Sequence, residues 1–361
     1  MSEETNRDIE QMLRSKEILL DFCSKLDPKH GKVEFSEGID ENEIDTWEKA
    51  NGISVPADYR EWLKYSKRTV FPLVTMELKP PSEFKIEDDH VIIGTHLNGN
   101  IAFLLKKVYG NSMILIEDGE RRNYGTTETI LRFWVYDMQK ATLNDRIKAM
   151  QPTIDKETAI RDKNYAIATL PESGVKEALE YFFAATNVSY LYKWCTYPRC
   201  PLREEDAKCI LVISPPNYDG YYQWQPVKIN ENIDLSSAET KLGFKVHKDI
   251  KELITSYYYF PLEGNTDEYG IRIYGNPPGM DFERSILNGF DKEDYAGNYK
   301  FITSGQFYQI GSGCIDGDDS YIFEVDNTTG EVWAVEYMDK KAYKVAESIK
   351  DLLLTIKPIW G

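Results

Sequence analysis

The chain has 361 residues, 42% of them hydrophobic, and sets 60 acidic side chains against 43 Lys and Arg for a formal charge of -17. That size suits two domains better than one. No apolar run approaches the ~18 residues of a membrane span, and the acidity excludes attraction to nucleic acid or anionic membranes.

The first twenty-odd residues are charged and helical in pattern, with Ile9, Met12, Leu13, Ile18, Leu19, Phe22 and Leu26 along one side of a helix over 8–27. Such a segment is not a signal peptide, so the chain is expected in the cytoplasm. Asp40 then caps a second helix, with Glu43 three residues on as a capping box. Gly52 stops that helix, because glycine alone enters the left-handed region without a steric cost. Pro56 starts a third, whose Tyr59, Trp62 and Leu63 form one apolar stripe.

This corner occurs twice. A shift of 191 lays Glu239 on Glu48, Gly243 on Gly52, Val246 on Val55, Asp249 on Asp58, Lys251 on Arg60 and Leu253 on Trp62. His247 replaces the helix-starting Pro56. A match of stop, cap and core positions without gaps argues for an internal duplication.

After the first corner, Pro80-Pro81 separates two short strands. Val91–Gly94 is a third strand, and 101–107 with 113–117 form a hairpin about Tyr109-Gly110-Asn111. Residues 126–140 return to helical spacing. Residues 141–209 are mixed and nearly neutral, with a helix over 175–186, and read as a structured connector. Residues 209–214 open the second domain as a strand. The second corner follows, then a strand over 269–274 and a long Gly- and Pro-rich loop over 275–297. Loops of that length inside a domain are often functional. Short strands at 301–303 and 307–310 follow it. A second hairpin, 321–325 with 331–336, turns at Asp326–Gly330; Phe323 matches Phe103 and Gly330 matches Gly110 at a shift of 220. A helix over 345–356 closes the chain. Helices segregated from antiparallel strands make an α+β protein. The expected division is 1–140, 141–209 and 210–361.

The corner residues Gly52, Ile53, Val55, Pro56, Asp58, Tyr59, Arg60, Glu61, Trp62 and Leu63 resemble the SUKH superfamily, which includes the Smi/Knr-type regulators of fungi and the Syd-type proteins of bacteria. The hairpin with Asp326, Gly330 and Val332 and the final helix with Ser348, Ile349, Asp351, Leu352 and Leu353 fit the same pattern. The first copy matches best in its helices and the second in its sheet, and Lys106 stands where Asp326 stands in the second copy. The resemblance implies two SUKH-like domains, each with helices on one side of a curved antiparallel sheet. It implies, further, an immunity protein that neutralises a toxin, often a nuclease, by stoichiometric occlusion; the alternative is a Smi/Knr-type scaffold for cellular protein partners.

The residues themselves give no nucleotide loop, no HExxH and no GxSxG, and Gly311-Ser312-Gly313 lacks the third glycine of a dinucleotide fingerprint. No enzyme, metal or cofactor is therefore expected. Cys195, Cys200 and Cys209 lack zinc-ligand spacing. His90 and His96 read as surface or edge residues.

Asp316, Asp318 and Asp319 do not fit a calcium loop and read either as a solvated turn or as an acidic patch for a partner. Tyr221, Tyr222 and Trp224 crowd one loop, where they are either core or interface anchors. Residues 210–361 hold 24 acids against 14 bases, and residues 1–150 hold 27 against 21. The acidity either attracts a basic protein partner or only maintains solubility. Under the first reading the partner-binding residues are these six.

Overall fold

A computed structural model describes residues 3–97, 99–108, 111–203, 205–216, 220–290, 306–315, 318–336 and 341–358. The chain divides into two compact units, residues 1–145 and residues 146–216 with 220–361. It is a mixed α and β structure with antiparallel sheets. No helix among the described residues is long and apolar enough to cross a membrane.

The first unit runs α1 (Glu3–Ser24), β1 (Glu34–Phe35), α2 (Glu41–Asn51), α3 (Ala57–Tyr65), β2 (Thr69–Phe71), β3 (Met76–Leu78), β4 (Lys85–Ile86), β5 (His90–His96), β6 (Gly99–Val108), β7 (Asn111–Glu117), β8 (Glu120–Gly125) and α4 (Thr127–Ala141). Its sheet has the order β1-β2-β3-β5-β6-β7-β8, with β4 paired to β5. The expected hairpin is present, with Phe103 opposite Met113; its turn, Tyr109 and Gly110, lies outside the described residues. One sheet face, carrying Ile101, Phe103, Met113 and Leu115, shares a core with Met12 and Leu19 of α1, Tyr59 and Trp62 of α3 and Trp134 of α4.

The second unit runs α5 (Leu143–Ala168, entered from the end of the first), α6 (Val175–Trp194), β9 (Arg199–Pro201), β10 (Tyr221–Gln223), β11 (Val227–Lys228), α7 (Ser236–Leu242), α8 (Lys248–Thr255), β12 (Tyr257–Tyr258), β13 (Leu262–Asn265), β14 (Tyr269–Ile273), α9 (Phe282–Gly289), β15 (Phe307–Ile315), β16 (Asp318–Asp326), β17 (Val332–Glu336), β18 (Ala342–Ala346), α10 (Ile349–Thr355) and β19 (Lys357–Pro358). Its main sheet has the order β18-β17-β16-β15-β14-β13-β19. Here too the hairpin is where the sequence puts it, with Phe323 opposite Ala334.

Both corners are helix–turn–helix, and they share more than their stops. Gly52 and Gly243 take φ of 67° and 77° at the two helix ends. In the first corner the Glu48 carboxylate accepts from the Val55 N–H at 2.7 Å and from Arg60 at 2.7 Å. In the second, Glu239 accepts from the Val246 N–H at 3.0 Å and pairs with Lys251 at 2.5 Å. The same carboxylate thus ties the turn to the next helix in both copies, at the same 191-residue shift. Asp40 caps α2 through the Asn42 N–H at 2.8 Å. Pro56 and His247 are the residues before their helices rather than the first within them.

The Glu239 staple has a pH signature. Hydrogen bonds from the Lys245 and Lys251 ammonium groups lower its carboxyl from an ordinary 4.5 to about 2. A carboxyl depressed in the folded state contributes stability above its unfolded value, and that contribution is lost as pH falls through the folded one. Glu239→Gln is therefore expected to flatten the fall in melting temperature of the second unit between pH 4.5 and about 2. An acid limb of unchanged slope would show that this carboxylate is not held by its lysines.

The expected connector is not one. Val175, Ala178, Leu179, Phe182 and Phe183 of α6 are buried in the same core as Ile250 and Leu253 of α8 and Leu352 and Leu353 of α10. The Glu252 carboxylate of α8 accepts from the Val175 N–H at 2.7 Å, beside the Glu177 carboxylate that accepts from the Gly174 N–H at 2.9 Å, so the N-terminus of α6 is closed in part by α8. Lys350, at the start of α10, donates to the carbonyls of Leu170 at 2.8 Å and Ser173 at 3.1 Å. The segment 146–209 belongs to the second unit.

Other expectations change in detail. The run 209–214 is not a strand; Val212 makes only an isolated bridge to Trp224. The long loop contains a helix, α9, while 291–305 lies outside the described residues, as does the expected strand at 301–303. The final helix starts at Ile349, capped by Ser348, because Val345 and Ala346 are taken into β18. His90 and His96 are buried rather than exposed. His90 Nδ1 lies 2.8 Å from Asp89, and His96 Nε2 lies 3.2 Å from Asp137. Each imidazole is held by its own carboxylate, so the two do not form a pair.

Candidate partner-binding surface

The sheet of the second unit brings acidic stretches far apart in sequence to one end. Tyr269, the first residue of β14, lies opposite Ile315, the last of β15, and Ile315 lies opposite Asp318, the first of β16. The turn joining β13 to β14 carries the exposed Asp267 and Glu268. It therefore sits at the same end as the start of β16, Asp318 and Asp319. Glu336, at the end of β17, pairs with Tyr321 and lies near that end too. Two basic residues are placed there as well: Lys357, opposite Asn265 on the neighbouring edge, and Lys341, whose carbonyl accepts from the Glu336 N–H at 2.8 Å. Asp318 and Asp319 open β16; Asp316 lies outside the described residues.

Asp267 and Glu268 were not singled out by sequence. Fifty residues separate them from Asp318, and only the pairing of β14 with β15 and β15 with β16 joins them. Alternating hydrophobicity could locate each strand but could not give the register that aligns their ends.

The three aromatic residues divide. Tyr221 is 37% exposed, Tyr222 is 8% and Trp224 is 4%. Tyr222 and Trp224 are therefore corrected from surface anchors to interior residues. The physical reason is strand periodicity: in β10 successive side chains point to opposite faces, so Tyr221 and Tyr222 cannot both face outward. Trp224 packs edge-on against Phe260 at 5.5 Å between ring centres, and its N–H donates to the carbonyl of Pro198 through the backbone at 2.9 Å.

Tyr221 stands at the mouth of a groove of about 260 Å³, with Arg199, Tyr190, Glu263 and Arg272 among its lining residues. The Arg199 guanidinium lies 4.6 Å from the centre of the Trp194 ring and 5.5 Å from that of Tyr221. Such cation–π contacts hold a planar, delocalised cation in place. Arg272 and Glu263 face each other across β13 and β14, with Nε and carboxylate 3.5 Å apart. Cys200 also borders the groove; burial, with Cys209 nearby, raises its thiol to about 12, so it stays protonated at neutral pH. All five cysteines are free thiols. Among the described residues no group of three or more His, Cys, Asp or Glu side chains could hold a metal ion.

Over 189 residues the chain is 25% identical to the protein Syd of Shewanella frigidimarina (strain NCIMB 400), a match that takes in 50% of this chain and 82% of that protein. No protein-family model matches the chain.

Proposed function

We propose that this is a tandem SUKH-like immunity protein, which binds a basic protein toxin and blocks it by stoichiometric occlusion without covalent chemistry. The likeness to Syd over half the chain supports the family, as do two corners built on the same carboxylate staple. The observation that carries the partner's charge is the acidic end of the second sheet, where the Asp267–Glu268 turn and the start of β16 at Asp318–Asp319 stand at the same end, in a chain of charge -17. Charges at the rim of an interface act chiefly on the rate of encounter, and salt screens them.

The test is surface-plasmon kinetics against the products of the neighbouring genes, at two ionic strengths. The variant Asp267→Asn/Glu268→Gln/Asp318→Asn/Asp319→Asn is expected to slow association by about tenfold or more at low salt, with the deficit shrinking as salt rises and dissociation little changed. An unchanged association rate at both salts would remove this surface from the interface. A neighbouring product that does not bind at all, with a cellular protein bound instead, would favour the scaffold reading.

A further inference from the structure

The second copy differs from the first by a long connection after β14, and its described part, residues 274–290 with α9, lines a cavity. It encloses about 560 Å³, within the ~300–1,000 Å³ typical of small-molecule sites. Its floor is apolar, with Ile254, Tyr259 and Ile310 all buried. Its rim is polar, with Tyr274, Asp281, Arg284, Asn288 and Gln309.

Each wall is fixed by its own contacts. Asn276 locks the start of the connection, its amide donating to the carbonyls of Ile254 at 2.7 Å and Tyr257 at 2.6 Å. Asp281 caps α9 by accepting from the Arg284 N–H at 3.1 Å, which orients the first turn of that helix. Gly289 lets the helix lie against Tyr308: a Cβ there would stand 2.1 Å from the ring. Gln309 donates to the Tyr274 hydroxyl at 2.8 Å, bracing the opposite lip.

Arg284 is exposed at this rim and makes no ion pair among the described residues. The corner cations are spent otherwise: Arg60 and Lys251 are each paired to a carboxylate. A guanidinium beside an apolar floor matches an anion with a flat body, because its planar fork takes two oxygens of one carboxylate or phosphate at once. Tyr274 and Asn288 supply further hydrogen bonds around the same opening.

We infer that this cavity is a binding site for a small aromatic anion, whose flat body lies on the Ile254–Tyr259–Ile310 floor and whose carboxylate or phosphate engages Arg284. The site is separate from the acidic sheet end, and its occupancy does not depend on the toxin reading.

Fluorescence titration of the full chain with 1-anilinonaphthalene-8-sulfonate, an aromatic anion, tests it. One saturable site is expected. Arg284→Gln is expected to weaken binding about tenfold and to remove most of its salt dependence. Asn288→Trp, at an exposed helical position, is expected to block the opening and abolish the signal with the melting temperature preserved. Displacement by phenylacetate identifies a carboxylate ligand, and displacement by adenosine monophosphate identifies a phosphate ligand. Equal probe affinity in both variants, or no saturable site in the native chain, overturns the proposal. The acid-to-amide variant of the sheet end is expected to bind the probe normally, so failure of one reading leaves the other standing.

Discussion

Trp62→Ala is expected to lower the stability of the first unit by about 3–5 kcal/mol. Trp62 is fully buried and touches three aromatic rings: Trp134 at 6.4 Å, Phe35 at 6.3 Å and Tyr65 at 5.6 Å between centres. Removing it takes away the contact that joins α3, α4 and β1, and the fixed backbone around it leaves a cavity rather than collapsing. Urea unfolding should show the first unit's transition moving while the second unit's stays in place. A loss under about 1 kcal/mol would mean that the indole does not hold these elements together.

Phe182→Ala is expected to cost the second unit a similar amount, about 3–5 kcal/mol. Its side chain is fully buried in α6, within the core that includes residues of α8, α10 and the main sheet. If 146–209 were a connector between two finished domains, the substitution would unfold that segment alone. The expected result is instead a lower midpoint for the whole second unit, seen equally by far-ultraviolet circular dichroism and by probes in the β16–β17 hairpin. Separate transitions for α6 and the sheet would overturn this assignment.

The corners were legible in the sequence because each is fixed by residues with one local use. A glycine in the left-handed region ends a helix, and an apolar stripe at three- and four-residue spacing marks the next. The hairpins were legible for the same kind of reason; Gly330, at a φ of 83°, fits the turn that ends the Asp326 loop. Helix α5 was not. It has Pro152 inside it, and its buried positions include Glu157, whose carboxylate accepts from Asn187 at 3.0 Å and Tyr197 at 3.3 Å. A buried acid satisfied by residues thirty and forty positions away breaks the apolar pattern that would have announced the helix.

The candidate surface was half legible. The acids before and within β16 were visible as a run, and the turn at Asp267–Glu268 was visible as a turn. Their adjacency depends on antiparallel register, which a single chain does not spell out. Tyr221, Tyr222 and Trp224 read alike in sequence because loop aromatics and core aromatics have the same composition. Only the pairing of β10 with β9, which sets Tyr222 opposite Cys200, decides which ring turns inward.

The hold of Lys350 on Leu170 and Ser173 sets a timetable for the newborn chain. At a synthesis rate of about 5–20 residues per second, roughly ten to forty seconds pass between the two ends of that contact. Throughout that interval the apolar side of α6, with Leu179 and Phe182, has no α10 to cover it. Asn327 arrives late as well, and only then can its side chain accept from the His247 N–H at 2.6 Å and donate to the Lys245 carbonyl at 2.8 Å. The first unit has its last helix in hand by residue 141 and can close while the ribosome is still at work. The second completes its core only as the final helix emerges, so a stalled ribosome or a shortage of chaperones falls on that half of the molecule.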